Sequence, residues 1–194
     1  MIAKEDLERM YLKEGASMME IAKKLDCSPK SVQYWMTKYG IDRRSIGDAI
    51  YLMNNRNGDP FSIQPIDTVE KGELFGLGVG LYWGEGTKKN KHSVLLGNTD
   101  PELINTFIKF LVELFGVSKE RLRFSLQIFT DIDPIEALNF WTERLQVSSS
   151  QFTKSVITIS GSLGTYRQKS QYGVATLYFH NKKLRDIIVG LLPS

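Results

Sequence analysis

The first 45 residues carry apolar side chains at the spacing of three short helices. Leu7, Met10 and Tyr11 indicate the first helix, and Gly15 marks its end. The buried positions expected in the second and third helices are Ile21, Ala22, Leu25, Val32, Trp35, Met36 and Tyr39. We therefore predict a small three-helix domain over residues 1–45.

Polar residues mark where the second and third helices begin. Ser17 and Glu20 have the spacing of a capping box, in which each side chain bonds the backbone amide of the other residue. Ser28 caps the third helix and Pro29 takes its first position, where a missing N–H group costs nothing. Because only a short turn at residues 26–28 separates the two helices, the segment has the plan of a helix-turn-helix.

The outward side of the third helix carries hydrogen-bonding and cationic side chains, which suit a helix lying in the major groove of DNA. These residues are Lys30, Ser31, Gln33, Tyr34, Thr37 and Lys38, and Arg43 and Arg44 follow where a backbone phosphate would lie. The stretch SMMEIAKKLDCSPKSVQYWMTKYGI resembles the helix-turn-helix of resolvase-type and homeodomain-like bacterial DNA-binding proteins. The resemblance implies DNA binding, and the alternative is an ordinary three-helix bundle with a solvated face.

Residues 46–70 are predicted to form a linker. Residues 49–53 can extend a helix, whereas NNRNGDP (54–60) has the composition of a turn and interrupts regular structure. A flexible linker between two DNA-binding domains would raise the effective concentration of the second domain at the site once the first has bound.

Helical and strand patterns alternate over residues 71–194. Helices are predicted over 74–86, 101–115, 134–145 and 181–192, and strands over 94–97, 121–129, 155–160 and 174–179. The order is therefore αβαβαββα, which is typical of an α+β domain with a four-stranded mixed sheet. We predict that helices cover one face of this sheet and leave the other face open.

The strand RLRFSLQIF (121–129) alternates between apolar and polar side chains. The residues expected to face outward are Arg121, Arg123, Ser125 and Gln127, and those expected in the core are Leu122, Phe124, Leu126 and Ile128. Arginine, serine and glutamine suit phosphates and base edges. A long polar loop over residues 161–173 contains Arg167 and Lys169, and it either reaches along a DNA groove or is a plain mobile loop.

The segment LFGLGVGLYWGE (74–85) has the apolar content of a helix but an unusual number of glycines. Each glycine in a helix interior costs roughly 1 kcal/mol relative to alanine. Gly76, Gly80 and Gly84 recur every four residues and share one face, where a second helix backbone can approach closely. Since the chain has only one such segment, the expected partner is the same helix of a second copy across a two-fold axis.

Such a helix pair would bring two copies of Glu85 together near the axis. Like charges at that distance repel each other unless a cation lies between them. Mg²⁺ fits this position because it binds one or two carboxylates together with phosphate oxygens and water. The alternative is a buried apolar helix whose terminal acid is merely solvated.

The segment GVGLYWGEG (78–86) resembles the LAGLIDADG motif of homing endonucleases. Gly80 falls on the glycine of the motif, Gly84 on its late small residue and Glu85 on its final acid. The resemblance implies that residues 71–194 adopt the saddle-shaped fold of this family. It also implies that the motif helices form a dimer interface and that Glu85 binds the catalytic divalent metal.

Further polar residues complete the predicted site. Lys88, Lys89 and Lys91 follow the motif directly and are expected to hold the phosphate that is cut or its neighbours. The alternative is a solvated run of charge. The resemblance also implies auxiliary polar and basic residues on nearby strands, and Gln127 and Lys154 are our candidates for these catalytic roles.

Composition narrows the class of protein. With 42% apolar residues the chain can bury cores, and a single cysteine, Cys27, excludes an intrachain disulfide and a cysteine-based zinc cluster. A formal net charge of +3 permits nucleic-acid binding without demanding it. The start of the chain lacks the apolar core of a signal peptide. We expect a cytoplasmic, nucleoid-associated protein of bacterial type, without a membrane span or a small-molecule cofactor.

The sequence leaves three functions open, all of which involve nucleic acid. The first is a homodimeric, Mg²⁺-dependent, sequence-specific DNA endonuclease, which the acid at Glu85 favours. The second is a transcription regulator that keeps the fold and does not cleave DNA. Trp83 in place of the first acid of the motif, and the separate N-terminal domain, favour this regulator. The third, an RNA-splicing maturase, has no specific signal in the sequence.

Overall fold

The computed structural model describes residues 2–56, 60–159 and 171–193. The chain divides into two compact units, Met1–Pro60 and Phe61–Ser194. Within the described residues the architecture is α+β, with eight α-helices and one four-stranded mixed sheet, which confirms the predicted class. No described helix combines the length and the hydrophobicity that a membrane crossing needs.

The first unit is entirely helical in its described part. Helix α1 (Lys4–Leu7) continues as a π-helical turn over Glu8–Lys13, and α2 (Met18–Lys24), α3 (Pro29–Lys38) and α4 (Ile46–Asn54) follow. The core of this unit consists of Leu7, Met10, Tyr11, Ile21, Ala22, Val32, Met36 and Ile41. Trp35 and Tyr39, which were also predicted to face inward, are only half-buried at its edge.

The predicted caps of α2 and α3 are present. The Ser17 hydroxyl accepts a hydrogen bond from the Glu20 amide at 3.2 Å, and the Glu20 carboxylate accepts one from the Ser17 amide at 2.8 Å. The bond from the Ser17 backbone, together with the Ser17 side chain and Arg56, lowers the pKa of Glu20 to about 2. The Ser28 hydroxyl accepts from the Ser31 amide at 3.1 Å and so fixes the start of α3.

The segment predicted as a linker contains regular structure and contributes to both units. Helix α4 belongs to the first unit and is capped by the Ser45 hydroxyl, which accepts from the Asp48 amide at 3.1 Å. Phe61 is buried in the core of the second unit, where its ring meets Phe179 edge-on at 5.6 Å between centroids. The boundary between the units therefore falls at Pro60–Phe61, inside the predicted linker.

The second unit is built on a sheet of four strands. These strands are β1 (Val94–Asn98), β2 (Arg123–Phe129), β3 (Val156–Thr158) and β4 (Val174–Phe179). They lie in the order β1-β4-β2-β3, with β2 parallel to β3 and the other two pairs antiparallel. Strands β1 and β3 correspond to the predicted strands 94–97 and 155–160. Their ends differ from the prediction by one or two residues.

Four helices complete the second unit: α5 (Val69–Glu85), α6 (Pro101–Phe115), α7 (Pro134–Leu145) and α8 (Lys182–Gly190). The element order over the described residues is the predicted αβαβαββα. One face of the sheet is buried under apolar side chains of these helices. The buried sheet residues are Val94, Leu96, Phe124, Leu126, Ile128, Ala175, Leu177 and Phe179.

Helix α5 packs against α6 through one face. The ring of Tyr82 stacks on Phe107 at 5.8 Å between centroids and is fully buried. Gly78 is buried beside the ring of Phe110, and a Cβ atom at this position would overlap that ring. This contact explains one glycine of the helix without any second copy of the chain.

Candidate nucleic-acid interface

Helix α3 presents a polar face to solvent. Lys30, Gln33, Tyr34, Thr37 and Lys38 are all exposed and line one shallow depression. Two of them are already engaged, because the Thr37 hydroxyl donates to the Gln33 carbonyl at 3.0 Å and the Lys38 ammonium lies 4.8 Å from the centre of the Trp35 ring. No described residue hydrogen-bonds the side chains of Lys30, Gln33 or Tyr34. Ser31, at the first turn, is half-buried.

The two arginines that follow α3 differ in their surroundings. Arg43 is exposed and makes no ion pair with a described residue. Arg44 instead donates from one terminal nitrogen to the carbonyls of Gly15 and Ala16, at 3.0 and 3.1 Å. Its guanidinium lies over the ring of Tyr11 at 3.9 Å, and its other terminal nitrogen is buried. Arg44 is thus engaged inside the first unit, and its contact with DNA phosphate stays a prediction.

The face of the sheet opposite the core carries the polar residues predicted for β2. Arg123 and Gln127 are exposed, and Ser125 lies between them with its hydroxyl 3.0 Å from the Tyr178 hydroxyl. The side-chain amide of Gln127 makes a long contact of 3.5 Å to the Thr158 hydroxyl. One terminal nitrogen of Arg123 donates to the carbonyls of Glu120 and Leu122, which folds part of the guanidinium back on its own turn.

Strand β4 adds two residues to this open face that the sequence analysis missed. Thr176 pairs with Ser125, and Tyr178 pairs with Arg123, so each pair projects to the same side of the sheet. The alternation of VATLYF, in which Thr176 and Tyr178 separate buried Ala175, Leu177 and Phe179, contains the signal that would have identified them.

Two other residues lie away from the positions predicted for them. Arg121 belongs to a 3₁₀ turn before β2, and its guanidinium lies 5.5 Å from the ring centre of Phe179, which is a core residue. Leu122 rather than Arg121 therefore leads into the strand. Lys154 is exposed but precedes β3, so it is not a strand residue. Arg167 and Lys169 lie outside the described residues.

Helix α5 presents its second face to solvent. Gly76, Gly80 and Gly84 are exposed, and a Cβ atom at any of the three would meet no atom within 4 Å. On the same side, Leu77 and Trp83 are each 57% exposed. One copy of the chain therefore gives no packing reason for the three spaced glycines, in contrast to Gly78.

Glu85 is the last residue of α5 and is exposed. No described residue forms a hydrogen bond or an ion pair with its carboxylate. Gly86 follows, where a Cβ atom would overlap Tyr82, and the Thr87 amide donates to the Leu95 carbonyl at 3.0 Å. The backbone that follows Glu85 is therefore held beside β1, which places the end of α5 at that edge of the sheet. Among the described residues, no three His, Cys, Asp or Glu side chains gather as a metal site.

The three predicted lysines occupy the loop between α5 and β1. The Lys88 ammonium donates to the carbonyl of Trp83 in the last turn of α5, so it serves the helix end. Lys89 and Lys91 are exposed, and no described carboxylate pairs with them. Of the three, Lys89 and Lys91 are the ones whose charge is available to a ligand.

No family model, no curated protein and no solved structure matches this chain. The interpretation of the site therefore depends on its residues and their geometry.

Proposed function

We propose that this protein is a sequence-specific double-stranded DNA-binding protein that acts as a homodimer. We further propose that it is a divalent-metal-dependent DNA endonuclease with the plan of the LAGLIDADG family. The observation that carries the proposal is the open face of α5, where three spaced glycines and two exposed apolar side chains end at an unpaired carboxylate.

The dimer would form through α5 of two copies. Covering exposed apolar side chains such as Leu77 and Trp83 with a partner lowers the free energy, because their surface leaves water. The glycines at 76, 80 and 84 allow the two helix backbones to approach closely. A two-fold axis that runs along the helix pair would bring the two Glu85 carboxylates to the same end of that pair.

The residues at this end fit a hard divalent cation. Glu85 offers an oxygen ligand that is exposed and that no described residue binds, and the second copy would supply another. Bound Mg²⁺ supplies Lewis-acid chemistry and an activated water at a phosphodiester. Lys89 and Lys91 would hold phosphates, and Gln127 and Lys154 are the candidates for orienting the scissile group.

DNA recognition would use both units. In the first unit, Lys30, Gln33 and Tyr34 of α3 have side chains free to meet base edges and phosphates. In the second unit, the open sheet face offers Arg123, Ser125 and Gln127, to which we now add Thr176 and Tyr178. Glutamine pairs with adenine through two hydrogen bonds in the major groove, which makes Gln33 the best candidate for base recognition.

A second candidate function is a transcription regulator that binds the same DNA without cutting it. Two observations favour it. Each copy of the chain offers one carboxylate at the site, and Trp83 occupies the position of the first acid in the LAGLIDADG motif. Cleavage assays on a bound duplex separate the two functions.

Substitutions in α3 test the DNA-binding part of the proposal. Gln33→Ala is expected to weaken binding to the preferred duplex by roughly 10- to 100-fold and to relax the preference at one base pair, since a bidentate contact contributes about 1–3 kcal/mol. Lys30→Gln is expected to weaken binding to all duplexes. It should also lower the slope of log affinity against log salt concentration by about 1. Fluorescence anisotropy over a salt series measures both effects.

Lys13→Gln is the matched control for these substitutions, because Lys13 is an exposed lysine of the same unit that lies outside α3. We expect it to leave affinity and preference unchanged. If Gln33→Ala and Lys30→Gln also left both unchanged, α3 would not be the recognition helix.

A further inference from the structure

The loop between α5 and β1 is held by an arginine from the far end of the chain. The Arg185 side chain lies on α8 and is only 14% exposed. Its Nε donates to the Asn90 carbonyl at 3.0 Å, and one terminal nitrogen donates to the Lys88 carbonyl at 2.8 Å. Its other terminal nitrogen pairs with Asp186 at 3.0 Å.

Only an arginine can make this set of contacts. The planar guanidinium presents several donors in a fixed fork, so it can reach two carbonyl groups and a carboxylate at once. A lysine in its place would keep the positive charge, but its donors share one nitrogen, so it lacks the separate donor positions that reach two carbonyls and Asp186. The contact is thus a geometric restraint on the loop. Asp186 offsets only part of the charge, because it also pairs with Lys182 at 3.0 Å.

The remainder of the loop is ordered by its own short-range bonds. The Asn90 side-chain oxygen accepts from the amides of His92 and Ser93, at 2.8 and 2.9 Å. The Lys88 ammonium donates a hydrogen bond to the carbonyl of Trp83. After these bonds are made, Lys89 and Lys91 are the loop lysines that are exposed and whose ammonium groups bond no described residue.

A mobile loop would present these two charges poorly. Three lysines fall within four consecutive residues, and like charges so close repel each other and favour extended, varied conformations. Ordering the loop before DNA arrives removes most of the entropy cost from the binding step. The contacts of Arg185 act on the backbone of the loop that carries these lysines, not on DNA.

We propose that Arg185 is a positioning residue. It orders the α5–β1 loop so that Lys89 and Lys91 contact DNA phosphates beside Glu85. The inference rests on the proposed function and deepens it, because it names the residue that prepares the phosphate contacts. Sequence analysis had no means of finding it, since Arg185 lies more than ninety residues from the loop that it holds.

A double-mutant cycle on duplex binding tests the inference. The probe is a 30-base-pair duplex, and the variants are Arg185→Lys, the pair Lys89→Gln with Lys91→Gln, and all three changes together. The lysine pair should lower the slope of log affinity against log salt by about 2, because each phosphate contact contributes about 0.9. Arg185→Lys should lower affinity roughly tenfold in the wild-type background. It should have no further effect once Lys89 and Lys91 are replaced.

A purely structural role for Arg185 would give the same loss of affinity in both backgrounds, and that result would overturn the inference. If the wild-type protein bound no duplex at any salt concentration, the proposed function and the inference would fail together. If the wild type bound well and Arg185→Lys bound equally well, the inference alone would fail.

Amide hydrogen exchange provides a second readout that does not depend on DNA. In Arg185→Lys we expect the amides of residues 88–92 to exchange at least roughly tenfold faster, with the thermal midpoint of the second unit retained. Asn90→Ala loosens the same loop without touching α8, so it should reproduce both the faster local exchange and the roughly tenfold loss of affinity. Unchanged exchange in both variants would contradict the restraint that we assign to Arg185.

Discussion

Replacement of Glu85 by glutamine is expected to abolish Mg²⁺-dependent cleavage of the bound duplex. The amide has nearly the shape of the carboxylate but no negative charge, so it cannot hold the cation against competing water. We expect the single-turnover cleavage rate to fall by at least about a thousandfold, which corresponds to roughly 4 kcal/mol of transition-state stabilisation. Duplex affinity without metal should stay within about threefold, because the residues proposed to contact bases and phosphates do not depend on the Glu85 carboxylate.

Glu143→Gln is the matched control, since Glu143 is an exposed carboxylate of the second unit that lies on α7, outside the α5 face proposed for the dimer. It should cleave at the wild-type rate. Cleavage by Glu85→Gln at the rate of the wild type would remove Glu85 from the mechanism. If the wild-type protein bound its duplex and never cut it, the regulator would be the correct function and Glu85 would be a surface acid.

Substitutions at two glycines of α5 are expected to change the stability of the monomer in opposite directions. A Cβ atom at Gly80 would meet no described atom of the same copy within 4 Å, so Gly80→Leu should stabilise the monomer by about 0.5–1 kcal/mol through helix propensity. The same change should break the homodimer, because overpacking costs about 1–3 kcal/mol in each copy. The dimer dissociation constant should therefore rise by roughly 30-fold to ten-thousandfold.

Gly78→Ala provides the contrast on the same helix. Its new methyl group would overlap the ring of Phe110, so we expect the second unit to lose about 1–3 kcal/mol of stability through strain in the α5–α6 contact. Sedimentation equilibrium measures association, and urea denaturation at dilution measures monomer stability. Unchanged association of Gly80→Leu would contradict the dimer through α5.

Elements that depend on near neighbours could be predicted well from the sequence. Helices α6 and α7 and strand β4 have the predicted bounds, because each has an uninterrupted pattern and α6 and α7 begin with an acidic cap and a proline. Strand β2 begins two residues later than predicted, since the backbone at Arg121 forms a 3₁₀ turn although the apolar–polar alternation already begins there.

The roles of the arginines could not be predicted, because distant parts of the chain determine them. Arg43 and Arg44 are adjacent and equivalent by composition, yet only Arg44 finds the carbonyls of Gly15 and Ala16 and the ring of Tyr11. Arg185 likewise finds its partner in a distant segment, since it donates to the Lys88 carbonyl of the α5–β1 loop. Side-chain partners at such separations follow from the fold, and no local pattern encodes them.

The spacing of Gly76, Gly80 and Gly84 predicts that the three share one helix face, and that face is exposed in one copy. Gly78 and Gly86 have a different origin, because each makes room for a neighbouring side chain, Phe110 or Tyr82. Sequence alone does not separate a glycine that admits a partner from one that admits its own core.

A selection from a pool of random duplexes, run in Ca²⁺ and in Mg²⁺ with the ends of the recovered DNA mapped, tests the central claim most directly. The claim is that two copies of this chain bind one duplex in a sequence-specific way and cut it. We predict a near-palindromic enriched sequence in both ions, with fixed ends inside it only in Mg²⁺. An enriched sequence that stays intact in Mg²⁺ would leave DNA recognition in place and contradict cleavage. Recovery of no preferred sequence in either ion would contradict the account as a whole.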